Sequence, residues 1–135
     1  MPAIGGLEPG WGLTVLRVAM GLVFATHGYA KFAAGLGKAS AFFAKASIPL
    51  PELTGPVIAV LELVGGILLV LGWATRWLGL LFAIEMLVAT FWVQVPAKGW
   101  NGSELERMLL AGGITLLFGG AGKLAIDQLW PKKWV

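Results

Sequence analysis

Apolar residues gather into four long stretches, each closed by glycine, proline or charge, and this pattern predicts helices that cross a membrane. The stretches run over residues 11 to about 34, 55 to 72, 77 to 95 and 104 to 119. At about 1.5 Å of rise per residue, helices of about 20 residues cross a hydrocarbon core of roughly 30 Å. Trp11 suits the interface at one end of the first span, and Tyr29 with Lys31 suits it at the other. Residues 36–47 are shorter and mixed. Lys38 and Lys45 share one helical face while Leu36, Ala39, Phe43 and Ala46 lie on another, which predicts a helix lying in the interface. The run Ile48-Pro49-Leu50-Pro51 breaks it.

Gly55-Pro56 opens the second span, and the tight turn Gly72-Trp73-Ala74-Thr75-Arg76 leads into the third. The loop over residues 96–103 ends in Ser103 as N-cap, with Glu104 and Glu106 in the first turn that follows. Gly119-Gly120-Ala121-Gly122 ends the fourth span. The expected fold is all-α: an integral membrane antiparallel four-helix bundle with a short interfacial helix between spans 1 and 2, forming a single domain over residues 1–135. Four crossings place both termini on one side, here side A, opposite side B. Residues 1–10 carry no lysine or arginine and so lack the basic start of a secretory signal.

Composition agrees with lipid as the solvent. Hydrophobic residues make up 58% and charged residues 13% of the 135, against roughly 25% charged in ordinary globular proteins. Mean hydropathy is +0.83. A soluble globule this small would have to coat itself with apolar side chains. The chain has no cysteine, which excludes disulfides, Fe–S clusters and thiol redox centres within it. Its one histidine, His27, excludes a haem held by two histidines of this chain. The net charge is +3, but the cations sit singly near the ends of apolar stretches, which fits lipid headgroups rather than nucleic acid. Arg76, Lys123, Lys132 and Lys133 on side A nearly balance Lys31, Lys38, Lys45 and Lys98 on side B, so charge alone barely sets orientation. No phosphate loop, HExxH, GxSxG or other metal-ligand motif is present.

Ionisable side chains within spans cost about 2.5–3.5 kcal/mol each on insertion scales, so each needs a reason. In the first span Arg17, Gly21, Phe24, Gly28 and Lys31 follow one line, with Met20 and His27 beside it. In the second, Gly55, Ile58, Glu62, Gly66 and Leu69 share a face. In the third, Leu78, Leu81, Glu85, Ala89 and Trp92 align; in the fourth, Glu104, Met108, Ala111 and Thr115 do so. Counting rise from the helix starts puts Arg17 about 9 Å and Glu85 about 12 Å from side A, close enough for a structural ion pair. His27, Lys31, Glu62, Glu104 and Arg107 fall in the B half. They define a candidate polar, ligand-binding pocket open to side B, roofed by residues 36–47 and the Trp100 loop. Each residue alone has a plainer role. His27 can pack through a hydrogen bond, Lys31 can snorkel, the tryptophans can form a belt, and Gly21–Ala25 and Gly112–Gly113 permit packing within the chain or a homo-oligomer.

These residues also carry a resemblance. His27-Gly28 followed by Lys31-Phe32 resembles the HG..K signature ending the first span of the DoxX family. Glu62-Leu63-Val64-Gly65-Gly66, then Gly72 with Thr75-Arg76, is similar to that family's second-span acid, glycines and Gly..Thr-Arg turn. Glu85-Met86 with Ala89 and Phe91 resembles its EM..AYF, with Thr90 where tyrosine is usual. Pro96 with Asn101-Gly102-Ser103-Glu104 resembles its P…NGGE loop, and Gly120-Ala121-Gly122 with Ile126-Asp127 its closing GPG..SLD. Gln94 stands where many members carry histidine, and Ala121 replaces the usual proline. The resemblance implies a multi-pass inner-membrane protein with both termini cytoplasmic, which would put the pocket on the outer side. It also implies association with a redox complex.

Three functions follow. The first is a membrane subunit or anchor of an oxidoreductase complex, at most the membrane component of a quinone-linked enzyme, with a quinone-like apolar ligand in the pocket. His27, Lys31 and Arg107 would donate to the quinone carbonyls, and Glu62 or Glu104 would relay protons. No electron-carrying cofactor is assignable from the chain, so electrons would come from a soluble redox partner protein or a bound flavin. The second is a small-molecule carrier, though no internal repeat favours one. The third is a structural protein that recruits partners, its polar groups holding the bundle together.

Overall fold

The computed structural model describes residues 7–129, which are all-α, with no strand among them. Lys132 and Lys133 lie outside the described residues. Five helices follow in order: α1 (Pro9–Ala34), α2 (Leu36–Lys45), α3 (Pro51–Leu71), α4 (Thr75–Lys98) and α5 (Glu104–Gly119). Of these, α1, α3 and α4 are long and apolar enough to cross a membrane, with 26, 21 and 24 residues. Helix α5 falls short of that length. Its 16 residues rise about 24 Å, and Glu104, Glu106 and Arg107 occupy its first turn. Three helices rather than four therefore meet the spanning criterion among the described residues.

Three helices, α1, α3 and α4, begin earlier than the apolar pattern suggests. Helix α3 starts at Pro51 instead of Gly55, because a proline in the first turn sacrifices no hydrogen bond. Both α3 and α4 contain a widened, π-helical turn, at Leu61–Gly65 and Ala89–Gln94. The second of these precedes Pro96, so the hydrogen-bond ladder is already open where proline withdraws a donor.

Helix α1 lies along α3, α4 lies along α5, α2 packs on α3, and α1 also touches α5. Glycines set the closest approaches. A β-carbon on Gly66 would sit 2.5 Å from the Ala25 nitrogen and 2.7 Å from the Gly21 carbonyl. Gly79 and Gly113 stand in the same relation, each 2.8 Å from the other's carbonyl oxygen by that construction. The faces Gly21–Ala25 and Gly112–Gly113 are thus spent on packing within the chain. Phe24 stacks on Phe82 with ring centroids 3.8 Å apart, and Met20, Leu69, Leu78, Met86, Leu109 and Leu116 complete the core.

The inward faces of α1 and α3 match the expected lines, whereas those of α4 and α5 are turned. Thr75, Leu78, Gly79, Phe82, Ala83, Met86 and Thr90 are buried on α4, while Leu81 and Trp92 are exposed. On α5, Leu109, Gly112, Gly113 and Leu116 face in, and Met108 is 72% exposed. Helix contact follows the glycine pair rather than the polar line. Thr115 is exposed, and its hydroxyl donates to the Ala111 carbonyl at 2.8 Å.

The end of the molecule that holds the 72–75 turn is locked by side chains serving helix termini. Arg17 on α1 is 1% exposed. It donates to the carbonyls of Leu69 (3.2 Å) and Val70 at the end of α3, and to Ala121 (2.9 Å), Lys123 (2.9 Å) and Leu124 (3.1 Å). Arg76 does the same for α5, donating to Leu117 (2.8 Å) and Phe118 (2.6 Å). The buried Asp127 carboxylate accepts the Ala74 and Thr75 amides at 2.7 and 2.8 Å, so a residue 52 positions away caps α4. Gly72 reverses the chain at φ +74°, where a β-carbon would also meet the Arg17 guanidinium at 2.9 Å. Asp127→Ala is expected to cost about 1–2 kcal/mol, the usual loss for a helix cap. The melting midpoint in detergent should fall accordingly, with Asp127→Asn intermediate.

Candidate functional site

Lys31, near the end of α1, reaches across to Glu62 in the widened turn of α3, with its ammonium 2.6 Å from Oε2. The pair forms where α1 and α3 come closest. A β-carbon on Gly28 would lie 2.7 Å from the Leu63 Cα and 2.9 Å from the Glu62 carbonyl carbon. Glu62 is buried. Glu85 on α4 lines the same cavity as Lys31 and Glu62. Its Oε2 is buried without a hydrogen-bond partner among the described residues.

This cluster forms part of the wall of a cavity of about 520 Å³. All five helices contribute to it, through Phe24, His27 and Lys31 of α1, Phe42 and Phe43 of α2, Ile58, Leu61 and Glu62 of α3, Ile84, Glu85, Ala89 and Gln94 of α4, and Leu105, Glu106 and Leu109 of α5. Most of the wall is apolar. Its volume lies within the roughly 300–1,000 Å³ typical of small-molecule sites.

Of the residues expected at the site, His27, Lys31 and Glu62 line the cavity; Trp100, Glu104 and Arg107 do not. Arg107 is held at the start of α5, with its guanidinium 3.8 Å from the Trp100 ring centroid. It donates to the Trp100 carbonyl at 2.9 Å and to the Ser103 hydroxyl at 3.2 Å. Ser103 occupies the N-cap position, but its hydroxyl donates to the Trp100 carbonyl at 2.8 Å instead of capping α5. Glu104 is exposed. His27 differs from expectation in chemistry rather than place. Its Nδ1 lies 2.8 Å from the Val23 carbonyl and must carry the proton there, so the neutral ring offers Nε2 as an acceptor.

Arg17 and Glu85 do not pair. The guanidinium is taken up by five carbonyls near the 72–75 turn, while Glu85 lines the cavity that holds Lys31 and Glu62. Orphan carbonyls at a helix end compete for an arginine, and this side chain leans toward the N-terminus of its own helix. Glu85, Gln94 and Glu106 are polar cavity residues that the sequence pattern did not collect, whereas the expected roof over residues 36–47 contributes Phe42 and Phe43. One signal was available for Glu85. Glu62 stands ten residues before Gly72 and Glu85 ten after Thr75, so a hairpin at that turn brings them level, about 15 Å up both helices. No group of three or more metal-ligating side chains occurs among the described residues.

An all-α membrane protein with an ionic cluster set into an apolar cavity is the class that this fold and site define. The chain belongs to the DoxX family, whose model matches residues 12–95. That match spans α1 to α4 up to Val95 and contains Lys31, Glu62 and Glu85. The chain is 39% identical over 116 residues to the Bacillus subtilis protein named "Putative oxidoreductase CatD", covering 86% of this chain and 84% of that one. It is 30% identical over 126 residues to the Escherichia coli "Inner membrane protein YqjF", covering 91% and 95%. An uncharacterized protein of Haemophilus influenzae is 34% identical over 127 residues, covering 90% and 92%. No solved structure matches the chain.

Proposed function

We propose that this chain is the membrane component of an oxidoreductase system and holds a quinone-like apolar ligand in the cavity beside Lys31, Glu62 and Glu85. The observation that carries the reading is the chemistry of the wall, with one ionic cluster set among apolar side chains. An apolar ring with polar edges suits it. The Lys31 ammonium donates to a carbonyl oxygen, and His27 Nε2 accepts from a hydroxyl. Fully ionised, the cluster carries one positive and two negative charges. Glu85 Oε2, buried without a partner among the described residues, is left to accept from a ligand hydroxyl. Electrons would arrive from a soluble redox partner. The name of the Bacillus subtilis relative supports an oxidoreductase setting.

In this reading α5 also crosses the bilayer, packed along α4 through Gly79 and Gly113, and α2 lies in the interface with Lys38 and Lys45 toward headgroups. The protein sits in the inner membrane with both termini cytoplasmic, which places the cavity in the outer half.

Protein purified in mild detergent with added menaquinone should retain it, as read by solvent extraction and chromatography. Lys31→Ala and Glu62→Gln should each lower retention about tenfold, the equivalent of one good polar contact. Arg107→Ala and Glu104→Gln, outside the cavity, should leave it within about twofold. Full retention by both Lys31→Ala and Glu62→Gln would falsify the assignment.

A further inference from the structure

The cavity wall includes side chains that are also part of the outer surface. Leu81, Ile84 and Val88 line it from α4, yet they are 46%, 52% and 39% exposed. They recur at helical spacing along one side of α4 and form a continuous apolar rim. Ile58 and Leu61 line the same cavity from α3. The two helices meet at Gly65, where a β-carbon would be 3.0 Å from the Phe82 ring, and beyond that level the cavity occupies the space between them. Phe42, Phe43 and Ile48 line it from α2 and the segment that follows. There the Trp92 indole donates to the Ala46 carbonyl at 3.0 Å and ties the end of α2 to α4. Ile84 is nine residues from the start of α4 and fourteen from its end, or about 13 Å and 21 Å along the axis, deep within a bilayer.

We infer that the cavity opens sideways into the hydrocarbon between α3 and α4, and that its ligand is a membrane-dissolved amphiphile whose single apolar tail leaves through this portal. A rim of leucine, isoleucine and valine at that depth offers no path to water and no cost to an alkyl or isoprenoid chain. A cavity of about 520 Å³ takes a compact head and a short length of chain, and the remainder continues between Ile84 and Leu61 into lipid. The head meets Lys31 and the two carboxyls. The inference rests on the proposed function for the identity of the head, but not for the existence of the portal.

Two measurements separate these. The chain has no cysteine, so a nitroxide attached at Ala89→Cys, on the cavity wall, reports access directly in liposomes. Molecular oxygen, which concentrates in lipid, is expected to relax the label several-fold more than a water-soluble nickel chelate. Adding Ile84→Trp or Leu81→Trp at the rim should reduce the oxygen effect at least twofold. Leu87→Trp, exposed on α4 but absent from the cavity wall, should leave it unchanged. Relaxation dominated by nickel, or indifference to both rim variants in folded protein, overturns the portal. The second measurement compares menaquinone-4 with menadione, the same head without the isoprenoid chain. Ile84→Trp should weaken menaquinone-4 about tenfold and menadione less than twofold; equal losses, or no loss of either, refute the tail route. If the nitroxide finds the portal but neither quinone binds, the portal stands and the proposed function fails.

Discussion

Replacing Arg17 with leucine is expected to remove most of the folded protein. The guanidinium serves five carbonyls and is almost wholly buried. Leaving even two of those oxygens without a donor costs about 1–3 kcal/mol each, and the total stability of a small domain is about 5–15 kcal/mol. Fluorescence-detected size exclusion should show a collapsed monodisperse peak, or a melting midpoint lowered by more than that of Asp127→Ala. Arg17→Lys should rescue little, because an ammonium cannot fan out across two chain segments as a guanidinium does. Glu85→Gln is the informative partner. If Arg17 were paired with Glu85, both substitutions would be comparably damaging; with the arginine bound to carbonyls instead, Glu85→Gln should shift stability by no more than about 1 kcal/mol.

The second large effect is expected at Gly28. A methyl group there points into the backbone of Leu63 and Glu62, which has no rotamer with which to yield. Gly28→Ala must push α1 and α3 apart, an overpacking change of about 1–3 kcal/mol. It also acts on the site. The same displacement draws the Lys31 ammonium away from Glu62, whose 2.6 Å contact has little slack. Menaquinone retention should fall about as far as in Lys31→Ala, even though no ligand-contacting side chain has changed. Gly37→Ala, where a β-carbon meets open space, serves as the control and should alter neither reading.

What the sequence made legible follows from which forces act locally. The positions of the helices were readable because apolar length and the Gly/Pro breaks are local properties, and α2 was readable from its split of lysines and apolar residues. The inward faces of α1 and α3 were readable because there the polar residues and the glycines share one line. On α4 and α5 they diverge. Met108 and Thr115 follow the polar line out to the surface, while Gly79 and Gly113 take the contact. In hydrocarbon a leucine gains nothing by being inside, so close backbone approach decides the rotation, and hydrophobic periodicity is silent about it. The pairing of charges failed for a related reason. Depth counted from each helix's own start accumulates error at every boundary, and α3 begins four residues earlier than its composition suggests. Counting outward from the shared 72–75 turn removes that error and places Glu62 opposite Glu85. The role of Asp127 could not be read by any local rule, since its partners are amides 52 and 53 positions earlier.

That cap has a consequence for biogenesis. The amides of Ala74 and Thr75 emerge from the ribosome more than fifty residues before the carboxylate that satisfies them, and Arg17 waits even longer for the carbonyls of residues 121–124. The segment over residues 121–127 is therefore translated after all five helices and latches them together. A nascent chain stalled before residue 127 would hold its helices in the membrane with their ends undone, which is the form a quality-control protease is built to find.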